Sequence, residues 1–336
     1  MSKRLVNVLF HGTGCYVPSV CWCDSKTFIA VPELLRRRRA MAVIIREFVD
    51  GDMSRVLQLL NEQRRGSHEF VPFAEERLLS LMREGRLKIF VAEESHETLG
   101  TAAYHDGHWG EEVEWVAVCN VPDGKAVEDA LVLEVEKHVK KGKVFTTVDE
   151  GSPLVSNWIS RGYRPEGGLY QMVADLDGVK PLPQVAKSFI IRSLRKGEEN
   201  EFVSVVNAGF GWERLKSGEV QRWKVEAPYF SEDWVHVAEC DGRIVSAVVA
   251  KQDVEYNRSF KGSRGYLGPA ATLPDCRGRK LASALTRRAM NFLFEKGMSS
   301  AALYTQEQNV ASVALLQKLG FHVGHHWKFM WKNLLT

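Results

Sequence analysis

Arg277, Gly278, Arg279 and Lys280 stand between the apolar run Leu267–Thr272, ended by Pro274-Asp275, and an Ala- and Leu-rich segment that opens at Leu281. Glycine and cations in a turn that leads from a strand into a helix suit the binding of phosphate. The first N–H groups of a helix have no intrahelical partner and point at whatever sits before them, and the helix dipole adds partial positive charge there. Arg277 through Ala282 reads as R-x-x-G-x-G/A, with Lys280 where the middle glycine is expected. The plainer reading of the same residues is a solvated basic turn.

The elements that follow favour the first reading. Leu281–Lys296 carries apolar residues at Leu281, Ala284, Leu285, Ala289, Phe292 and Leu293, close to helical spacing, and Gly297 stops it. A strand is expected over Ala301–Thr305, then Asn309-x-x-Ser312-x-x-Leu315-Leu316-x-Lys318-Leu319-Gly320-Phe321, a short helix closed by glycine that re-enters a strand. These two segments in this order resemble the GNAT superfamily of acyl-CoA-dependent N-acyltransferases, over about Phe189–Leu335. The resemblance implies an α/β (α+β) fold, a mixed and mostly antiparallel sheet with helices on both faces. It implies acetyl-CoA as acyl donor and a primary amine, small molecule or peptide, as acceptor. The backbone of Ala270, Ala271 and Thr272 would then pair with the pantetheine arm as an added strand, and the Ala270 N–H would meet the thioester oxygen. Arg277, Gly278, Arg279, Lys280, Leu281, Ala282 and Ser283 would hold the diphosphate, mainly through backbone N–H groups. Asn309 would fix the pantetheine arm, a role compatible with its capping the next helix.

Gly268-Pro269 falls in the middle of the strand before the loop. Proline lacks an N–H and glycine tolerates unusual dihedrals, so a bulge that splays this strand from its neighbour is expected; an edge strand is the alternative. Acid and base are harder to find. The superfamily's frequent tyrosine acid aligns with Leu316 and its frequent glutamate base with Tyr266, so neither standard group is present. A thiolate leaves readily without a strong acid. Amine deprotonation through water could run to Glu239, Glu255, Tyr304 or Glu307. His325-His326-Trp327, read as a loop between the last two strands, is either a solvated pair beside a core tryptophan or a border of the acceptor site.

The chain repeats itself. Ile44-Ile45-Arg46 returns as Ile190-Ile191-Arg192, and the same offset of 146 pairs Asp52 with Glu198, Asn61 with Asn207 and Val91-Ala92-Glu93 with Val237-Ala238-Glu239. Val121-Pro122-Asp123 answers Leu273-Pro274-Asp275 at an offset of 152, and Gly162-Tyr163 answers Gly320-Phe321 at 158. This is a tandem duplication, with 41–175 as a first unit, 176–188 as a Pro- and Gly-bearing linker and 189–336 as the unit that binds acyl-CoA. In the first unit the loop Gly124–Leu131 is shorter, lacks an Arg-Gly pair and places Glu128 and Asp129 where a diphosphate needs cations. It is expected to be a degenerate copy that shapes the acceptor pocket. Tandem members with one working half are known, and the layout is similar to that of the mycothiol synthase family.

The net charge of +3 hides an asymmetry. Residues 1–40 hold Lys3, Arg4, Lys26 and Arg36–Arg39 against Asp24 and Glu33, a surplus of five, which leaves −2 for the remainder. That body is not a nucleic-acid surface, and no aromatic interleaving accompanies Arg277, Arg279 and Lys280. The leader has no sustained period and reads as an upstream start that is not the natural one, a disordered basic tail, or a targeting or metal-binding segment. His11, Cys15, Cys21 and Cys23 match no common zinc spacing, so no metal is expected. No apolar run reaches the roughly 18 residues of a membrane span. Scattered Cys119, Cys240 and Cys276 suit reduced thiols in the cytoplasm. A non-catalytic tandem module that binds CoA or a protein partner is the rival reading, favoured by the missing acid and base. Oligomeric state and acceptor identity stay open.

Overall fold

The computed structural model describes residues 43–334 apart from 84, 86 and 108; the leader and its cysteines lie outside them. The first half runs β1 (Ile44–Glu47), α1 (Met53–Gln63), α2 (Glu75–Arg83), β2 (Leu87–Glu94), β3 (Glu97–Gly107), β4 (Gly110–Val118), α3 (Gly124–Glu136), β5 (Lys143–Asp149), α4 (Leu154–Ser160) and β6 (Arg164–Asp175). The second repeats this order with one added helix: β7 (Phe189–Ser193), α5 (Glu199–Phe210), α6 (Glu219–Glu226), β8 (Val235–Cys240), β9 (Arg243–Gln252), α7 (Val254–Phe260), β10 (Arg264–Thr272), α8 (Leu281–Glu295), β11 (Ser300–Gln306), α9 (Val310–Lys318) and β12 (His322–Asn333).

The residues that repeat at the constant offset do the same work in both halves. Arg46 donates to Asp52 at 2.6 and 2.7 Å and to Glu93 at 2.6 Å, joining β1, the start of α1 and β2. Arg192 donates to Glu198 at 2.8 and 2.8 Å and to Glu239 at 2.7 Å in the same places. The guanidinium holds the Asp52 and Glu198 carboxyls below their ordinary values. Asn61 clamps the backbone of Phe73, and Asn207 that of Leu215, each amide donating to a carbonyl and accepting from an N–H. The duplication is therefore preserved in groups that fix a helix and a loop against the sheet.

All twelve strands form a single sheet in the order β1-β2-β3-β4-β5-β12-β6-β11-β10-β9-β8-β7. It is mixed and mostly antiparallel; only β4 with β5 and β10 with β11 run parallel. The last strand of each half lies in the other half's sheet: β6 pairs with β11, and β12 pairs with β5. The two exchanged strands pair with each other from His322↔Val173 to Trp331↔Arg164. The cores follow the strands. Met330 of β12 is fully buried among Phe90, Val113, Leu131 and Val144 of the first half, and Met172 of β6 is fully buried with Val206, Leu285 and Leu303 of the second. Residues 176–188 thus divide the chain but not the sheet.

Helices cover both faces. In the first half α3 packs Val127, Leu131, Val132 and Val135 on one face, and α1 and α2 pack Val56, Leu60 and Leu78 on the other. His325, His326 and Trp327, expected in a loop, lie on β12, paired with Gln171, Tyr170 and Leu169 of β6. Two register shifts interrupt that strand, between Val323 and His325 and between Lys328 and Met330, and they break the alternation by which a strand is recognised.

Cutting the backbone within the exposed segment 179–182 should leave the halves associated. Removing a buried methionine and a whole paired strand from either sheet is far more costly than losing one covalent link. A protease site placed there, cleaved and followed by gel filtration, is expected to give one particle of the uncut size. Two separately eluting halves would contradict the exchange.

Candidate active site

Two parallel strand pairs open at their C-terminal ends. β10 and β11 are paired only at Arg264↔Ser300, Gly265↔Ala301 and Tyr266↔Ala302, and beyond Tyr266 they diverge. The cause is the expected bulge: against β9 the register shifts between Leu267 and Ala270, with Gly268 at φ 148°. From Ala270 onward the strand pairs with β9 alone. The Leu273 N–H donates to the Val245 carbonyl, so by alternation the backbone groups of Ala271 also face β9, while those of Ala270 and Thr272 face the opening. Ala271 thus differs from the expectation: its N–H and C=O already belong to the sheet. Thr272 is partly engaged too, since the Arg277 Nε donates to its carbonyl at 3.3 Å. The Ala270 N–H faces the gap.

Arg277 ties the loop down. Its other nitrogen donates to the Gly209 carbonyl at 2.8 Å, at the end of α5. Gly209 has to be glycine, because a Cβ there would stand 2.9 Å from the Ala271 Cβ and 3.2 Å from the Thr272 nitrogen. Gly278 then adopts φ 74° and Lys280 φ 62°, both left-handed. The middle glycine of the motif falls where the backbone favours one; lysine there costs about 1–2 kcal/mol of strain. Lys280 is the N-cap of the fifteen-residue α8 and caps it with no side chain. The N–H groups of Leu281, Ala282 and Ser283 therefore open toward the end of the β10–β11 gap. Arg279 is exposed, its guanidinium 5.8 Å from the Phe189 ring. Asn309 is the N-cap of α9, its side chain accepting from the Ser312 N–H at 3.2 Å.

The first half opens in the same way. β4 and β5 pair only at Glu111↔Val144 and Glu112↔Phe145. Glu128 and Asp129, expected where a diphosphate would sit, lie instead in the second turn of α3, and Arg161, at the end of α4, donates to them at 2.7 and 2.6 Å. The corresponding helix end in the second half carries Leu319. The opening widens into a cavity of about 370 Å³ that includes Trp115, Thr146, Asp149 and Trp158. It joins a second cavity of about 310 Å³ at the mouth of the β10–β11 gap, through shared walls at His68, Glu69, Val71, Glu255 and Trp327.

Tyr266 and Tyr304 flank the mouth with ring centroids 6.1 Å apart, and Trp327 stands 6.0 Å from Tyr304. Burial pushes the Tyr266 hydroxyl up to about 12 and raises that of Tyr304, so near neutrality both are proton donors. Across them lies an ion cluster that joins the halves. Arg264, 4% exposed, donates to Glu69 at 2.5 and 2.7 Å and to Asp253 at 2.9 Å, and lies 3.4 Å over the Tyr256 ring. Burial opposes ionisation of Glu69, yet Arg264 and Gln171 hold its carboxyl below the usual value.

Of the four expected bases, Glu239 is removed by its place in the Arg192 triad. Glu307 lies against His326 at 2.6 Å and Lys328 at 3.1 Å. Glu255 borders the cavity but pairs with Arg77 at 2.5 Å. Tyr304 is there as a donor. Leu316 is buried in the second-half core. The sequence reading missed His68, Glu69, Arg264 and Asp253. Nothing local marks them, since they come from a loop of one half and a strand and strand end of the other. It also missed Lys251, cross-strand partner of Tyr266, which burial lowers to about 8 over the Trp223 ring. No metal was expected. Among the described residues, the one group with ligand atoms close enough for an ion is His105, Glu112 and Glu114, where hydrogen bonds to Glu112 and then Glu114 raise the imidazole to about 10.

A tandem sheet whose parallel strand pair splays beside an uncapped helix start is the architecture of GNAT proteins. Residues 197–321 match the family model described as the acetyltransferase (GNAT) family. Mycothiol acetyltransferase of Nocardia farcinica is 25% identical over 290 residues, 82% of this chain and 93% of its own. Among solved structures, a GCN5-related N-acetyltransferase from Sphaerobacter thermophilus superposes with a TM-score of 0.63 at 19% identity, covering 88% of this chain and 96% of that one. A tandem GNAT protein from the clavulanic acid biosynthesis pathway gives 0.57 at 13%, covering 88% and 99%. The second half thus carries the GNAT-family match, and the chain as a whole shares its fold with tandem GNAT structures.

Two substitutions separate the loop's parts. Gly278→Val forces a β-branched residue into the left-handed region and should weaken acetyl-CoA binding about tenfold, for ~1–2 kcal/mol of strain. Arg279→Ala should change it less than about threefold, as for an exposed charge. Calorimetric titration reads both; equal effects would show that side-chain charge dominates. Glu239→Gln should lower the thermal midpoint, by about 1–3 kcal/mol of stability, and leave acetyl-CoA affinity intact. Loss of turnover without loss of stability would return Glu239 to the chemistry.

Proposed function

We propose that the protein is an acetyl-CoA-dependent N-acetyltransferase for a primary amine, with the donor held by the second half (189–336) and the acceptor cavity walled partly by the first (41–175). One observation carries this reading. The β10–β11 gap leads to a fifteen-residue helix start reached through two left-handed residues, whereas the loop before α3 has none, and α3 carries Glu128 and Asp129, bound to Arg161, in its second turn. Ala270 supplies the N–H for the thioester oxygen, with Ala270 and Thr272 along the pantetheine arm. Gly278, Arg279, Lys280, Leu281, Ala282 and Ser283 line the diphosphate, with Arg277 as the brace of that loop. Asn309 caps α9 beside the gap.

The acceptor enters through the shared cavity. Glu69, Asp253 and Glu255 give it carboxylates that attract an ammonium group, and Arg264 and Arg77 keep those charges compensated. The relatives named mycothiol acetyltransferases support a small-molecule amine. A cytoplasmic setting agrees with free Cys119, Cys240 and Cys276, and no helix among the described residues is long and apolar enough to cross a membrane.

Calorimetry should find a single acetyl-CoA site per chain, and a thiol-release assay with a panel of primary amines should find turnover. Two sites per chain would return the first-half gap to donor binding. Tight binding without release for any amine would favour the non-catalytic module.

A further inference from the structure

The positions where relatives keep an acid and a base hold Leu316 and Tyr266, so amine deprotonation needs a group from elsewhere. Gln171, on β6 and 1% exposed, identifies it through its own bonding. Its Nε2 donates to the Glu69 carboxylate at 2.9 Å, and that carboxylate is fixed from the far side by both terminal nitrogens of Arg264. A carboxylate accepts only, so the amide must turn its NH₂ to Glu69 and its oxygen to His68. The His68 Nε2 lies 2.8 Å from that oxygen and therefore carries the hydrogen. In the neutral imidazole the lone pair is then on Nδ1, which has no hydrogen-bond partner among the described residues. The ring is held flat by His325, stacked 4.0 Å away at 6°, and by the edge of Trp327 at 5.8 Å. His325 is itself anchored to Asp149 at 2.8 Å. His68 lines both cavities, and the same Gln171 nitrogen lies 3.5 Å from the Tyr304 hydroxyl at the mouth of the β10–β11 gap.

We infer that His68, supplied by the first half, is the general base of the transfer, oriented by the chain Arg264–Glu69–Gln171. The inference rests on the transferase reading above. As the amine nitrogen bonds to the thioester carbonyl carbon, Nδ1 of His68 takes the amine proton. The tetrahedral adduct collapses, the C–S bond breaks, and the CoA thiolate leaves and is protonated from the imidazolium through water. Amide and CoA thiol result, and the imidazole is neutral again. The arrangement has the logic of a histidine whose second nitrogen is fixed by an acceptor so that the first is available. The charged and titratable groups around it are Glu69 on its own loop, Arg64 at the end of α1, Arg77 of α2 and Glu255 of α7. Arg264 and Tyr266 of β10, Asp253 before α7, Tyr256 of α7, Tyr304 of β11 and His325 of β12, with Asp149 of β5 behind it, face it from the second half and the seam, and Glu114, Glu128 and Arg161 also line the first cavity.

Thiol release with saturating acetyl-CoA and the best amine of the panel, measured across pH on the full chain, tests this. His68→Ala is expected to lower kcat by about 100-fold or more, to leave acetyl-CoA affinity unchanged, to lose the acidic limb of the wild-type pH profile, and to regain rate on adding imidazole. His68→Gln keeps a donor toward Gln171 and should show the same loss, which covers the case of a misfolded alanine variant. Gln171→Leu should lower kcat while preserving acetyl-CoA affinity, the mark of a positioning residue. A His68 variant that turns over within threefold of wild type, or a slow one that keeps the acidic limb and ignores imidazole, overturns the inference and leaves the transferase reading standing. A wild type that binds acetyl-CoA yet releases no thiol removes both, and is seen without any variant.

Discussion

The antiparallel pairing of β6 with β12 is the contact on which the molecule depends. It is made by the last strand of each half, each serving as the outermost strand of the other half's sheet. One interaction therefore closes both cores and fixes their relative position. It also decides what stands at the junction. Gln171 of β6 and His325 of β12 both touch His68, which with Trp327 of β12 lines the two cavities where they meet. Gly168 shows how tight the seam is: a Cβ there would stand 2.4 Å from the Trp327 carbonyl oxygen. A site assembled across a loosely linked pair of domains would drift by more than a proton transfer tolerates. Here a hydrogen-bonded ladder passes through it.

Duplication supplied two copies of the same scaffold, which differ in one added helix, in loops and in charge on α3. The Arg46 and Arg192 triads and the Asn61 and Asn207 clamps are retained because each satisfies several polar groups that β1, β2 and the first helix would otherwise leave unpaired. What changed is charge in the second turn of α3 and the backbone of the loop before α8. Arg161 and its two carboxylates satisfy one another in the first half, and no left-handed residues precede α3. The first half's opening between β4 and β5 persists as space that joins the cavity at the mouth of the β10–β11 gap. Its Gly66–Phe73 loop reaches Arg264 of the second half, with Glu69 in a left-handed conformation at φ 47° and bound to that arginine.

The parts legible from sequence were those encoded in the backbone. Gly268-Pro269 announced the bulge, Gly278 and the glycine-like position at Lys280 the left-handed loop, and Gly297 and Gly320 the helix ends, each for a steric reason that holds in any context. The repeat offset gave the element order. The strand exchange was not legible, because β6 and β12 have the same pattern and either sheet offers the same edge to either strand. His325–Trp327 was misplaced because two register shifts hide its alternation. Glu239 looked available as a base because its partner Arg192 lies 47 positions away. His68 and Glu69 carry no local signature; they matter through Gln171 and Arg264, and only the fold brings these four together.

The central claim is a division of labour, with donor binding in the second half and none in the first. Amide hydrogen exchange with and without acetyl-CoA tests it most directly, since both helix starts report in one experiment. The account predicts slowed exchange at Ala270, Thr272 and the amides of 278–283, with 124–131 unchanged. Protection of 124–131 at the start of α3, with the α8 start unaffected, would contradict it.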